Sequence, residues 1–134
     1  MNEAANARWI RWMRYGHWIG CHQMPERSFF LGGYQFPVCA RCTGVIIATT
    51  AAVFLYWFYP LPVNVSLVCC GIMFLDWLIQ RVGIRSSTNA RRLFTGLIGG
   101  YGVAMLQLRL YCFAARLLLK AVVFFRNDFN ISWR

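Results

Sequence analysis

Three cysteines and a histidine stand in the first third of the chain at spacings that suit one centre: Cys21-His22-Gln23, then Cys39-Ala40-Arg41-Cys42. Thiolate and imidazole are the ligands zinc favours, and Cys21, His22, Cys39 and Cys42 make up a common structural zinc set. The same thiols would also serve a dithiol redox pair, or lie unligated inside a packed interface. Cys39-x-x-Cys42 followed by Thr43-Gly44 has the form of a zinc knuckle. Because Cys21 and His22 are adjacent, both can bind one metal only if the backbone bends there; His17, four residues before Cys21, is the alternative imidazole. A loop exposing three thiols would be open to oxidation, which favours ligation or burial. Cys69, Cys70 and Cys112 fall in apolar segments and read as small hydrophobes.

Two further sets could do chemistry. Asp76 is the single acid inside an apolar run, and an ionisable group there faces the interior beside a partner. Arg41, Arg85 and Arg92 are within reach, so a buried ion pair is expected. The second set precedes another apolar segment: Arg85, Ser87, Thr88 and Arg92. Ser87 or Thr88 would cap a helix, and free N–H groups beside arginines bind phosphate. The same residues also serve simply as a capped helix start whose arginines set topology.

The elements that position these residues are membrane elements. Hydrophobic residues make up 59% of the 134 residues and charged ones 13%, against about 45–50% and about 25% in ordinary soluble domains. The expected fold is all-α: a small integral membrane helical bundle with three spans, a fourth being the alternative. Residues 4–19 read as a basic, Trp-rich interfacial helix, with Trp9, Ile10, Trp12 and Met13 on one arc and Arg8, Arg11 and Arg14 opposite. Residues 20–43 form the Cys/His loop, with Gly32, Gly33 and Pro37 making 29–38 a loop or hairpin that folds Cys21 back over Cys39. Spans are expected over 44–59, 63–80 and 93–110, in one domain. Residues 111–126 read as a basic interfacial helix or a fourth span. No cleavable leader is read at the N-terminus.

Net charge is +10. With no nucleic-acid motif, this reads as insertion topology and anionic lipid headgroups rather than DNA or RNA. Lys and Arg number five in residues 1–42, none in the Tyr59–Pro62 turn and four in residues 81–92. That distribution places the N-terminus in the cytoplasm of a multi-pass inner-membrane protein.

The runs Cys21-His22-Gln23, Pro25-x-Arg27-Ser28-Phe29 and Pro37-Val38-Cys39-Ala40-Arg41-Cys42-Thr43-Gly44 resemble those of small prokaryotic membrane proteins grouped as domain of unknown function 2085. Asp76, Gln80, Gly83, Arg85, Ser87-Thr88-Asn89, Arg92, Thr95-Gly96 and Gly100 agree with the same family, so the likeness covers roughly residues 16–108. That family usually has Gly after the Asp, where this chain has Trp77. The resemblance implies a membrane protein whose Cys/His loop and Asp/Arg set form one site, and it supplies no reaction. Three functions fit: a cytoplasmic zinc site that is structural or acts at the membrane interface, a non-catalytic subunit docking other membrane subunits, and an enzyme acting on a phosphorylated lipid.

Overall fold

The fold is built along one long helix. In the computed structural model, which describes residues 3–84 and 86–131, the elements are α1 (Glu3–Trp18), a 3-10 turn (Pro25–Arg27), β1 (Ser28–Leu31), β2 (Tyr34–Cys39), α2 (Ala40–Leu55), α3 (Val63–Arg81) and α4 (Asn89–Ile131). Both α2 and α3 pack against α4. Small residues make this possible. A Cβ on Gly96 would strike the Arg41 carbonyl of α2, and one on Gly44 would strike the Leu93 carbonyl of α4. Each glycine lies on the other helix's backbone, the close approach that glycine permits between helices in a membrane.

The shared core is small: Ala52, Ala104 and Met105, with Tyr56, Leu61 and Tyr101 against it. Large apolar side chains point outward on every long helix, including Ile47, Phe54, Leu67, Phe74 and Phe94. Apolar surface on this scale needs a partner or a lipid solvent. Two helices, Val63–Arg81 and Asn89–Phe124, are long and apolar enough to cross a bilayer; Ala40–Leu55 is apolar but shorter.

α1 docks on the hairpin by one face. Trp9 Nε1 donates to the Gln35 carbonyl at 2.8 Å, and Tyr34 donates to Asn6 Oδ1 at 2.9 Å. Ile10 and Trp12 of its apolar arc stay outside, 53% and 61% exposed.

Several expectations are corrected here. The chain is mostly helical but not all-α: β1 and β2 pair antiparallel, with Leu31 opposite Tyr34 across the Gly32-Gly33 turn and Ser28 opposite Cys39. Residues 20–43 are thus largely structured. The first apolar helix starts at Ala40 and ends at Leu55, earlier at both ends than the expected 44–59. Residues 93–110 and 111–126 are not two elements but parts of one 43-residue helix. At about 1.5 Å per residue it is roughly 65 Å long, about twice the hydrocarbon thickness. Nothing between Val103 and Ile131 is Gly or Pro, so the chain has no breaker there.

Candidate metal centre

The path that gathers the thiols begins where α1 stops. Gly20 takes φ 84°; its N–H bonds the His17 carbonyl at 2.9 Å, and the Cys21 N–H bonds the Gly16 carbonyl at 3.2 Å. This paired closure satisfies the last carbonyls of the helix and turns the chain back. Two residues later Gln23 holds φ 50°, a left-handed conformation that costs a non-glycine residue about 1–2 kcal/mol. Its side chain offsets that cost, with Nε2 donating to the Met13 carbonyl at 2.7 Å and to the Pro37 carbonyl at 2.6 Å. Its own carbonyl accepts from Gln35 Nε2 at 2.7 Å. Gln23 therefore clips the end of α1, the Cys21 turn and β2 together.

The hairpin then delivers Cys39 to Cys21. Ser28, opposite Cys39, is buried and its hydroxyl bonds the Met24 carbonyl at 2.9 Å. The Cys39 N–H donates to Cys21 Sγ at 3.2 Å. Cys39 is the residue before α2, and Cys42 lies in its first turn. The sulfurs of Cys21, Cys39 and Cys42 all lie within 4.8 Å of one another, with Cys21 buried and the other two half-buried. No disulfide joins them. The Cys42 thiol hydrogen-bonds Cys39 and lowers its pKa to about 5, against the opposing effect of burial. Cys42 is pushed up in turn, chiefly by that same bond.

Three sulfurs in this arrangement could hold a metal ion. A tetrahedral centre with bonds of about 2.3 Å would need them only slightly closer. His22 is not among the converging ligand atoms; it is exposed and lines a cleft with Met24, Arg27, Arg41, Trp77, Gln80 and Arg81. His17 is exposed in the last turn of α1.

Arg41, between the two cysteines of the Cys39–Cys42 turn, links this centre to the second set. Its Nη2 lies 2.5 Å from Asp76 Oδ2. That oxygen also accepts from Gln80 Nε2 at 2.6 Å and Thr95 Oγ1 at 3.1 Å. Asp76 is 4% exposed, and its Oδ1 lies 2.7 Å from Arg91 Nε without hydrogen-bond alignment. Of the three arginines expected near Asp76, Arg41 pairs with it and Arg85 lies outside the described residues. Arg92 is turned away, donating to Gln80 Oε1 at 3.1 Å and Asn89 Oδ1 at 3.3 Å. Its place is taken by Arg91. Asn89 closes the circuit, donating to the Ser28 carbonyl at 3.1 Å.

Of the expected phosphate set, Arg85 lies outside the described residues. Thr88 caps α4, accepting from the Arg91 N–H at 3.3 Å, while the Ser87 hydroxyl bonds the Thr88 carbonyl at 3.3 Å. Arg92 is buried inside the network. Gln23, Gln80 and Arg91 went unread as site residues. Gln80 lies one helical turn after Asp76, the spacing at which a side chain can reach back.

Residues 21–106 match the family described as Predicted membrane protein (DUF2085). An "Uncharacterized protein" of Methanothermobacter thermautotrophicus is 39% identical over 95 residues, 64% of this chain and 82% of that one. Another, of Methanocaldococcus jannaschii, is 36% identical over 98 residues, 68% of this chain and 63% of that one. No solved structure matches. The matched segment opens at Cys21 and closes one residue past the Met105 core, so it takes in all three thiols, the Asp76 network and the packed half of α4: the chain belongs to the DUF2085 family of predicted membrane proteins.

Proposed function

We propose that this is a multi-pass membrane protein carrying a thiolate metal site, most suited to zinc, at the cytoplasmic mouth of its helices. The observation that carries this reading is the convergence of Cys21, Cys39 and Cys42 within 4.8 Å, produced by a clipped turn and a hairpin. Three thiolates satisfy zinc's preference and leave a fourth position for water, a ligand or an imidazole; His22, next to Cys21, is the nearest in sequence. The cytoplasmic side follows from charge: nine of the fourteen Lys and Arg lie in residues 1–42 and 81–92, as the positive-inside rule requires. A reducing compartment also suits unbridged thiols.

Elemental analysis of purified protein tests the metal directly. One zinc per chain is expected, falling to well under a tenth in Cys39→Ser and in Cys21→Ser. Metal-free protein whose three thiols all react freely with a maleimide would defeat the reading. The outer half of α4 favours a second one, a docking subunit of a larger membrane complex: Leu110, Phe113, Leu117, Leu118 and Val122 are each more than half exposed on it.

A further inference from the structure

We propose that the cleft beside the thiols is a binding site for a phosphate ester, its phosphate held by Arg27, Arg41 and Arg81 and its organic part lying against Trp77. The cleft has a volume of about 960 Å³. Three arginines line it, each from a different element: Arg27 from the turn before β1, Arg41 from α2 and Arg81 from the end of α3. Asp76 compensates Arg41. Among the described residues neither Arg27 nor Arg81 has a carboxylate partner, and both are exposed. The wall therefore carries uncompensated positive charge. Guanidinium forks bind phosphate through paired N–H groups, and His22 and Gln80 add hydrogen-bonding groups on the same wall.

Arg41 is already oriented. Its bond to Asp76 fixes the guanidinium, so less side-chain freedom is lost when an anion arrives. The cleft is far larger than a bare phosphate and so has room for an organic remainder. Trp77 and Met24 form the apolar part of the wall. Trp77 continues along α3 into exposed Phe74, whose ring lies 5.7 Å from its own, and exposed Leu78. A tryptophan at the end of an apolar helix sits at headgroup level, where a phospholipid presents a phosphate beside its chains. A soluble phosphate ester offers the same headgroup without them. The site differs in place and residues from the start of α4, and it does not depend on metal at the thiols.

The test compares phosphatidic acid, phosphatidylcholine and glycerol 3-phosphate on the full chain in detergent, with lipid retention read by native mass spectrometry and the soluble ester by calorimetry. Phosphatidic acid should be retained over phosphatidylcholine. Arg27→Gln and Arg81→Gln should each weaken it at least tenfold. Arg116→Gln, on the exposed half of α4, should change it less than twofold. Glycerol 3-phosphate binding with the same dependence on Arg27 and Arg81 would assign the site to a soluble ester; retention of the lipid alone would assign it to a headgroup. The proposal is overturned if neither ligand binds, if Arg27→Gln and Arg81→Gln both bind like the parent, or if Arg116→Gln weakens binding as much as they do. Arg27 and Arg81 are both exposed and, among the described residues, without a carboxylate partner, so either variant carries the test should the other unfold.

Discussion

The two ends of the packed helices are held by opposite means. At the thiol end, one buried carboxylate takes a cation from α2 and another from α4, a hydroxyl from α4 and an amide from its own helix. At the other end, Ala52, Ala104 and Met105 pack with Tyr56, Leu61 and Tyr101, and the Arg109 guanidinium donates to the Leu61 carbonyl. Lipid offers no hydrophobic drive for helices to associate, so close packing and hydrogen bonds must do it. The apolar end supplies contact with little directional preference. The polar end specifies one rotation of each helix, because Arg41, Asp76 and Thr95 meet in one register only. The Cys39–Cys42 turn is attached to that end, which suits a centre whose geometry must be held.

Asp76→Asn should break the comparison most sharply. It leaves Arg41 and Arg91 without their counter-charge, and removing one partner of a buried pair costs roughly 3–5 kcal/mol. Thermal unfolding in detergent should show the large loss, with zinc content falling as Arg41 and its flanking cysteines loosen. A loss below about 1 kcal/mol would mean that water reaches these charges and that the polar end specifies nothing.

Next in size is Gly96→Val. Its Cβ meets the Arg41 backbone, which cannot move aside like a side chain, so α2 and α4 must separate; overpacking of this kind costs about 1–3 kcal/mol. The shift falls on the residue between Cys39 and Cys42, so the variant should lose metal more steeply than it loses stability. Equal zinc content in variant and parent would show that the turn holds its geometry without the helix contact.

The same contrast explains what could be read from the chain. α3 was legible almost to the residue, expected at 63–80 and found at Val63–Arg81, because Pro60 and Pro62 mark its start and Gly83 follows its end. α2 was misplaced because its helix begins inside the cysteine motif at Ala40, where no Ser, Thr, Asp or Asn side chain marks a cap. Bilayer thickness and the basic face of Arg109, Arg116 and Lys120 divide α4 near residue 110 when read from sequence, whereas the absence of Gly or Pro beyond it points to continuity. Convergence of the thiols was legible from the Pro and Gly residues between them. Of the partners of Asp76, Arg41 was legible and Arg91 was not: Arg91 and Arg92 differ by about 100° of helix rotation, and only the start of α4 at Asn89 decides which faces α3. Gln23 was illegible for a related reason. Its left-handed backbone and its three bonds span residues 13 to 37, contacts set by tertiary arrangement rather than by any local pattern.

The smallest effect is expected at the far end. Arg109→Met removes a directional contact there, the bond to the Leu61 carbonyl. Against that loss stands a gain, since Arg109 Nε is buried without a hydrogen-bond partner, and a buried unmet donor is itself unfavourable by about 1–3 kcal/mol. Methionine keeps the unbranched stem that packs beside the small core and brings no donor needing satisfaction. The Leu61 carbonyl lies in the short link between α2 and α3, where water or a headgroup can replace the lost bond. The two terms nearly cancel, so the unfolding free energy should change by less than about 1 kcal/mol and zinc content should not change. A destabilisation approaching that of Asp76→Asn would show that both ends depend on buried polar contacts, and the distinction between a specifying end and a packing end would be lost.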